Sequence, residues 1–236
     1  AFWRASTDND RGCSFPQRAA VWMGADVFVQ RMGFTVQEKS AQCVRVQYRF
    51  GVPGVPGAQV EMIYTVEAQG ALRLDAVYHG VPGAPELPCF GIKFETAAPV
   101  VRTRWTGLSG ETYPDRCKGG VFGCHEEPPH IEPALVPQDC GLHMDTQQVN
   151  LQLADGKTLT LESTGEAFAF SALPNTAQQI EAAQHPCELP ETGRTCVTVL
   201  GAARGVGGID SWGTDVEAPY HVNGEQQHSV SLRILL

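Results

Sequence analysis

Three pairs of carboxylates lie close together in the chain and invite a hydrolytic reading: Glu111 with Asp115, Glu126 with Glu127, and Asp210 with Asp215. Glycosidases place two carboxyl groups about 5 Å or more apart across the scissile bond, one as acid and one as base or nucleophile. Each pair also has a plainer reading, as turn-capping Asp and solvated Glu. The run "TDND" (7 to 10) is similar, with Asx side chains closing tight turns before Gly12. Seven histidines (79, 125, 130, 143, 185, 221 and 228) are scattered, and a lone histidine is more often a hydrogen-bonding or surface residue than a ligand. Cys117, Cys124, His125 and His130 are the nearest approach to a metal set. Their spacing matches no CxxC or HxxxH pattern, and Pro128-Pro129 stiffens the segment, so no metal is expected in this chain. No G-x-S-x-G elbow, G-x-G-x-x-G or Walker pattern is present.

Trp212 is the remaining candidate. It ends the stretch "GVGGIDSW" (205 to 212), on a glycine-rich loop with no apolar stripe around it. Two readings stand side by side. The indole folds back as a lid on the core, or it offers its face to the C–H patches of a sugar ring, with Asp210 and Ser211 supplying hydrogen bonds.

The elements that would carry such a loop are strands. Period-two alternation dominates. It runs through Val44, Val46, Tyr48 and Phe50, then Val60, Met62, Tyr64 and Val66, then Leu72, Leu74, Ala76 and Tyr78. These read as three successive antiparallel strands, each half exposed. Residues 148 to 163 read as a hairpin turning at Asp155-Gly156. The last strand carries Val230, Leu232, Ile234 and Leu236 inward. Helix is expected over 176 to 185, capped by Thr176 and stopped by Pro186, and over 16 to 25. Residues 107 to 147 read mostly as loop.

Composition agrees with strands and turns. The 236 residues include 25 Gly and 16 Pro, with 18% charged residues and 42% hydrophobic ones, enough to fill one sizeable core. A net charge of −9 without a basic cluster excludes a nucleic-acid footprint. No stretch approaches the ~18 consecutive apolar residues of a membrane span. The eight cysteines include Cys43 and Cys196 within apolar strand-like runs, where a thiol packs as a small hydrophobe, so reduced thiols in a cytoplasm are expected. The reading is a single antiparallel β-sandwich over 1 to 236.

Six stretches then align with one family, in its order: "FWRASTDNDRG" (2 to 12), "GLSGETYPDR" (107 to 116), "VPQDCG" (136 to 141), "FAFSALPNT" (168 to 176), "QHPCELP" (184 to 190) and "GVGGIDSWG" (205 to 213). The chain resembles the C-terminal domain of LacZ-type bacterial β-galactosidases, glycoside hydrolase family 2. The resemblance implies an all-β antiparallel supersandwich, galactose-mutarotase-like, in a fragment lacking the family domain's first strands. It implies no catalytic residue in this chain, because the family's two glutamates lie in a TIM-barrel catalytic domain of the same enzyme. Trp212 matches the substrate-binding tryptophan of the sugar platform. Gly12, Cys13 and Ser14 match the start of a mobile active-site loop hinged at Gly12. Mg²⁺ and Na⁺ are implied for the parent enzyme, bound mainly by other domains, and the implied substrate is a terminal β-D-galactoside. A free-standing carbohydrate-binding module or an aldose-epimerase-like protein on the same fold is the alternative. Sheet edges left by missing strands would favour homo-oligomers.

Overall fold

A computed structural model describes residues 1–236. Thirteen strands form two antiparallel sheets. In chain order they are β1 (Gln30–Lys39), β2 (Cys43–Gly51), β3 (Gln59–Glu67), β4 (Leu72–Tyr78), β5 (Cys89–Glu95), β6 (Val100–Leu108) and β7 (Phe122–Glu127). There follow β8 (His143–Thr146), β9 (Gln148–Leu153), β10 (Thr158–Ser163), β11 (Phe168–Leu173), β12 (Cys196–Ala203) and β13 (His228–Leu235). The large sheet has nine strands in the order β1-β2-β3-β4-β13-β10-β9-β6-β7, and the small sheet four, β5-β12-β11-β8. The all-β antiparallel sandwich expected from the alternation is present.

Alternation decides which side chains meet between the sheets. Leu74 and Ala76 of β4, Leu161 of β10, Val149 and Leu151 of β9, and Val230 and Leu232 of β13 share the inner face of the large sheet and are buried. Phe90 and Ile92 of β5, Val197 and Val199 of β12, and Phe168 and Phe170 of β11 face them from the small sheet. The C-terminal strand lies mid-sheet, between β4 and β10, so it is a central strand of the fold. Leu236, expected inward, is instead 98% exposed, because the ladder ends one residue before it.

The small sheet is buried on both faces. Its outer face carries Cys89, Ala169 and Leu200, which pack under Tyr113 and Leu142. Leu173 packs with Ala5, Cys140 and Ile180. Residues from the 109–142 region are thus the second cover of this sheet, which explains their lack of period. Two short strands, β7 and β8, interrupt that region where mostly loop was expected.

Helix is shorter than its sequence signals. The four α-helices are α1 (Asp8–Gly12), α2 (Phe15–Ala19), α3 (Ala25–Phe28) and α4 (Ala177–Ala182). The expected helix over 16 to 25 breaks up because the chain tightens into a 3₁₀ turn at Ala20–Trp22. That turn swings Trp22 inward, where it stacks on Phe2 at 5.2 Å and donates from Nε1 to the Glu86 carbonyl at 3.0 Å. Thr176 caps α4 with a full capping box, but Ala183 is already extended and Pro186 opens a separate 3₁₀ turn. The "TDND" turn is itself α1, with Thr7 and Asp10 forming a capping box.

At one end of the sandwich lies a buried ionic cluster. Arg204 follows β12 and has no exposed side-chain surface to speak of. Its Nε donates to Glu86 Oε1 at 2.6 Å and its Nη1 to Asp10 Oδ1 at 3.1 Å, while Nη2 donates to Asp215. The guanidinium sits 3.9 Å from the Phe15 ring centroid. Asp10 also receives Arg4 Nη1 at 2.6 Å and Nη2 at 3.1 Å, together with the Thr7 N–H and hydroxyl. Burial pushes the Asp10 carboxyl up, but the Arg4 charge and these hydrogen bonds outweigh it and hold the group below the usual carboxylate range.

The large sheet outruns the small one. β5, the edge of the small sheet, lies over β13 and β4. Beyond it the inner face of β1–β3 continues bare. Phe34, Val36, Val44 and Val66 on that face are exposed, and a groove of about 500 Å³ lined by Phe50, Met62, Tyr64, Leu74, Phe94 and Ile234 leads under β5. The β1–β4 face is therefore apolar along its whole width and covered along only part of it. β1 itself carries two register shifts, which blunt it as a pairing edge.

Two stability effects follow. Leu232→Ala, in the covered centre, should cost about 2–5 kcal/mol, whereas Val66→Ala on the bare part of the same face should fall within about 0.5 kcal/mol of wild type. Urea unfolding midpoints of the two variants, with the denaturant slope unchanged, check the contrast. Asp10→Asn leaves two buried guanidinium groups short of a charge and should cost about 3–5 kcal/mol at neutral pH. Because the folded carboxyl titrates below its unfolded value, its contribution is complete above about pH 5 and is lost only as pH falls through the lowered folded value. The stability gap between wild type and Asp10→Asn should stay constant from pH 8 to 5 and narrow below about pH 4, as read by denaturant titrations across that range.

Candidate functional site

The loop carrying Trp212 leaves β12 directly after Arg204, so it starts from the ionic cluster. Its course requires glycine. Gly207, Gly208 and Gly213 have φ of +67°, +79° and +82°, in the left-handed region where a side chain is strained. Asp115 holds the start of the loop, accepting the Val206 N–H at 2.9 Å on Oδ1 and the Gly207 N–H at 2.8 Å on Oδ2. Asn9 Nδ2 donates to the Val206 carbonyl at 3.0 Å. At the tip, Asp210 Oδ1 accepts the Trp212 N–H at 2.9 Å and the Thr214 N–H at 3.2 Å, and Oδ2 accepts the Thr214 hydroxyl at 2.5 Å. These hydrogen bonds, the Thr214 hydroxyl first, hold the Asp210 carboxyl below its ordinary value.

The backbone of the loop is thus tied down at both ends, while the indole is not. Trp212 is 91% exposed, whereas Trp3, Trp22 and Trp105 are buried. The core-lid reading of Trp212 is excluded, since the ring packs on nothing in this chain. Ile209 stands exposed three residues before it. Beside the loop opens a cleft of about 670 Å³ lined by Pro114, Arg116, Lys118, Ile209, Glu217 and Tyr220. A solvated indole with an apolar neighbour, carried on a tied backbone, is the kind of exposed apolar surface that marks an interaction site.

Gly12, Cys13 and Ser14 lie against this loop. Gly12 ends α1, Cys13 caps it, and Ser14 adopts a left-handed φ of +59°, unusual for a residue with a side chain. A Cβ on Gly213 would stand 2.6 Å from the Gly12 carbonyl oxygen, so the two backbones touch. The Cys13 thiol lies 3.6 Å from Asp215 Oδ1, and burial together with the Asp215 charge pushes that thiol up. All four residues singled out from the sequence as active-site residues therefore occupy one end of the sandwich, beside the ionic cluster.

Each carboxylate of the three pairs has a structural partner within the chain, Asp215 among them through Arg18. Glu111 accepts the Gly141 N–H at 2.5 Å, Asp115 serves the loop, and Asp210 caps it. Glu126 pairs with Arg102 at 3.4 Å and Glu127 with His143 at 3.0 Å. Burial holds His143 below the usual imidazole range. No three His, Cys, Asp or Glu side chains converge to hold a metal ion, and the eight cysteines are free thiols. Arg204 and Glu86 were not legible beforehand, and Asp115, weighed as half of a carboxylate pair, instead holds the loop. The only signal was a single arginine set between a strand and a glycine-rich loop, a position where a lone charge ordinarily faces solvent.

Comparison with known proteins places this arrangement in a family. Residues 1–234 match the family model described as beta galactosidase small chain. The chain is 40% identical to the β-galactosidase small subunit of Latilactobacillus sakei, over 99% of this chain and 83% of that protein. It is 32% identical to the β-galactosidase of Streptococcus thermophilus, over 99% of this chain but only 23% of that one. Among solved structures, a putative aldose 1-epimerase from Escherichia coli K12 is similar with a TM-score of 0.41 and 13% identity, over 85% of this chain and 67% of that one. A galactose mutarotase-like protein from Lactobacillus casei is similar at 0.38 and 10%, over 85% and 72%. By the match along its length and the 40% identity to a small subunit, the chain belongs to the β-galactosidase small chain family.

Proposed function

We propose that this chain completes the active site of a retaining LacZ-type β-galactosidase of glycoside hydrolase family 2, and is silent as a catalyst on its own. The observation that carries the reading is Trp212, an indole 91% exposed on a loop whose backbone is tied down by Asp115 and Asp210. Aromatic faces stack on the apolar face of galactose, and a loop whose backbone is already fixed loses little entropy when its ring does so. The two catalytic glutamates belong, on this reading, to the TIM barrel of the catalytic polypeptide, which performs the double displacement. The segment Gly12–Ser14 borders the sugar platform from the side of Gly213. On this reading Mg²⁺ and Na⁺ serve the parent enzyme and are bound mainly by its other domains. The setting is cytoplasmic, in lactose catabolism.

The partly covered large sheet fits the same reading. The bare inner face of β1–β3 beside the edge strand β5 offers an apolar seat to strands from another part of the enzyme. Without them, that face would draw copies of this chain together into homo-oligomers.

The epimerase-like alternative needs a histidine and a glutamate facing each other across a sugar. His143 contacts Glu127 at 3.0 Å and His221 contacts Glu86 at 2.7 Å, so neither of these two pairs holds a ring between its members. Galactose titrated calorimetrically into the isolated chain should give no heat of specific binding, whereas a free-standing sugar-binding module would give a clear one.

Two outcomes test the proposal. The isolated chain should release no chromophore from a nitrophenyl galactoside, and turnover at a rate comparable with a whole enzyme would refute it. In the enzyme assembled with its catalytic polypeptide, Trp212→Ala should raise KM for galactosides by roughly 5- to 150-fold, the equivalent of about 1–3 kcal/mol of lost stacking.

A further inference from the structure

A rigid loop is useful only if something fixes its placement relative to the rest of the site. Asp210 and Asp115 fix the loop's internal shape, but neither touches the Gly12–Ser14 segment. One residue does both. Asp215, two positions beyond Gly213, receives Arg204 Nη2 from the buried cluster and Arg18 Nη2 from α2, the latter at 2.5 Å. Its Oδ1 also accepts the Val216 N–H at 2.9 Å and lies 3.6 Å from the Cys13 thiol. Arg18 completes a bridge, since its Nη1 donates to the Cys13 carbonyl at 3.0 Å.

Asp215 therefore sits where three pieces of chain converge: the end of the Trp212 loop, the Cys13 turn with α2, and the charged cluster behind β12. Behind it, the Arg204 guanidinium lies against the Phe15 ring of α2 at 3.9 Å. In front of it, Gly213 and Gly12 touch so closely that a Cβ on Gly213 would be 2.6 Å from the Gly12 oxygen. Displacing either segment alone would open this contact and break the Arg18 bridge, and displacing the loop would also strip a carboxylate from a buried guanidinium. The last of these is costly, because Arg204 is fully buried and has no water to replace the lost partner.

We propose that Asp215, with Arg18, is a positioning residue that clamps the Trp212 loop to the Gly12–Ser14 segment, so that the two form one unit of the galactoside site. This rests on Trp212 being the sugar platform, and it adds residues and a coupling to that reading. Asp215 does not touch substrate in this arrangement. It acts on the galactoside only through where it holds the indole.

The test is a double-mutant cycle in the enzyme assembled with its catalytic polypeptide, using Asp215→Asn, Arg18→Gln, Trp212→Ala and the two doubles with Trp212→Ala. Asp215→Asn and Arg18→Gln should each raise KM for a nitrophenyl galactoside about three- to tenfold, with a smaller change in kcat. In the Trp212→Ala background neither should raise KM further, because the group through which they act is gone. An increase by the same factor in that background, or no increase in the presence of Trp212 where Trp212→Ala itself raises KM, overturns the clamp. Arg18 is largely solvated, so its variant guards against a loss of fold that would confuse the Asp215 result.

A second readout does not depend on activity. With 5-fluorotryptophan incorporated, the chain should show four ¹⁹F resonances, and Trp212→Phe identifies the exposed one. Asp215→Asn and Arg18→Gln should shift or broaden that resonance and leave those of Trp3 and Trp105 in place. A Trp212 resonance unmoved by both variants overturns the clamp. If Trp212→Ala leaves KM unchanged while the resonance responds, the clamp stands and it is the sugar-platform reading that fails.

Discussion

The rest of this site depends on a single electrostatic demand: Arg204 is a fully buried guanidinium and must be surrounded by acceptors. It finds them on three separate parts of the chain, Asp10 in α1, Glu86 ahead of β5, and Asp215 after the Trp212 loop. A buried ion pair adds little net stability compared with apolar packing, because desolvation consumes most of the attraction. What it supplies here is placement. Each acceptor must come to one point from a different direction, and the segments carrying them come along. Arg4 strengthens the demand by sharing Asp10 and by donating to the Gly205 carbonyl at 3.1 Å, where the glycine-rich loop begins.

That arrangement explains why the functional end of the sandwich is built from short helices and glycines instead of strands. A sheet would satisfy its own backbone and leave no freedom to bring carboxylates to a point. The capping box of α1 turns Asp10 inward toward Arg4, and the tightened turn after α2 sends Trp22 into the core. Phe15 then lies flat under Arg204 with its own face buried. The polar cluster is therefore seated on the aromatic one, and the loop on the polar cluster.

How much of this could be read from residue order follows from the range of each signal. The strands β2, β3, β4, β9, β10 and β13 were legible because alternation over six to nine residues is a local property. β5, β11 and β12 carry little alternation, since the loops and α4 cover their outer face and both sides of the sheet are apolar. β1 was missed for the opposite reason, as its two register shifts break the period and its apolar residues face open space. Trp212, Gly12, Cys13 and Ser14 were reached through a likeness of motifs, and no local pattern separated the lid from the exposed indole. Arg204, Glu86 and Asp215 form a set only in three dimensions, with 118 residues separating the first two. An isolated arginine before a glycine run has the sequence signature of a surface residue.

Two of the molecule's apolar exposures differ in kind. On β1–β3 the bare side chains continue an inner sheet face that is buried elsewhere, so they mark where the same sandwich can be extended. Trp212 continues nothing, because its neighbours along the loop are polar apart from Ile209 and its backbone is fixed by carboxylates. A face of the first kind asks for more strands and is satisfied by any that match its pattern. An indole of the second kind sits on a backbone shaped by two left-handed glycines before it and one after, and on the proposed reading that shape serves a geometry beyond the chain. A fold that needed only to be stable would have turned that ring inward. That it instead stands outward, on a loop braced through Asp215 and a buried arginine, is the physical reason for proposing that it serves chemistry shared with another part of the enzyme.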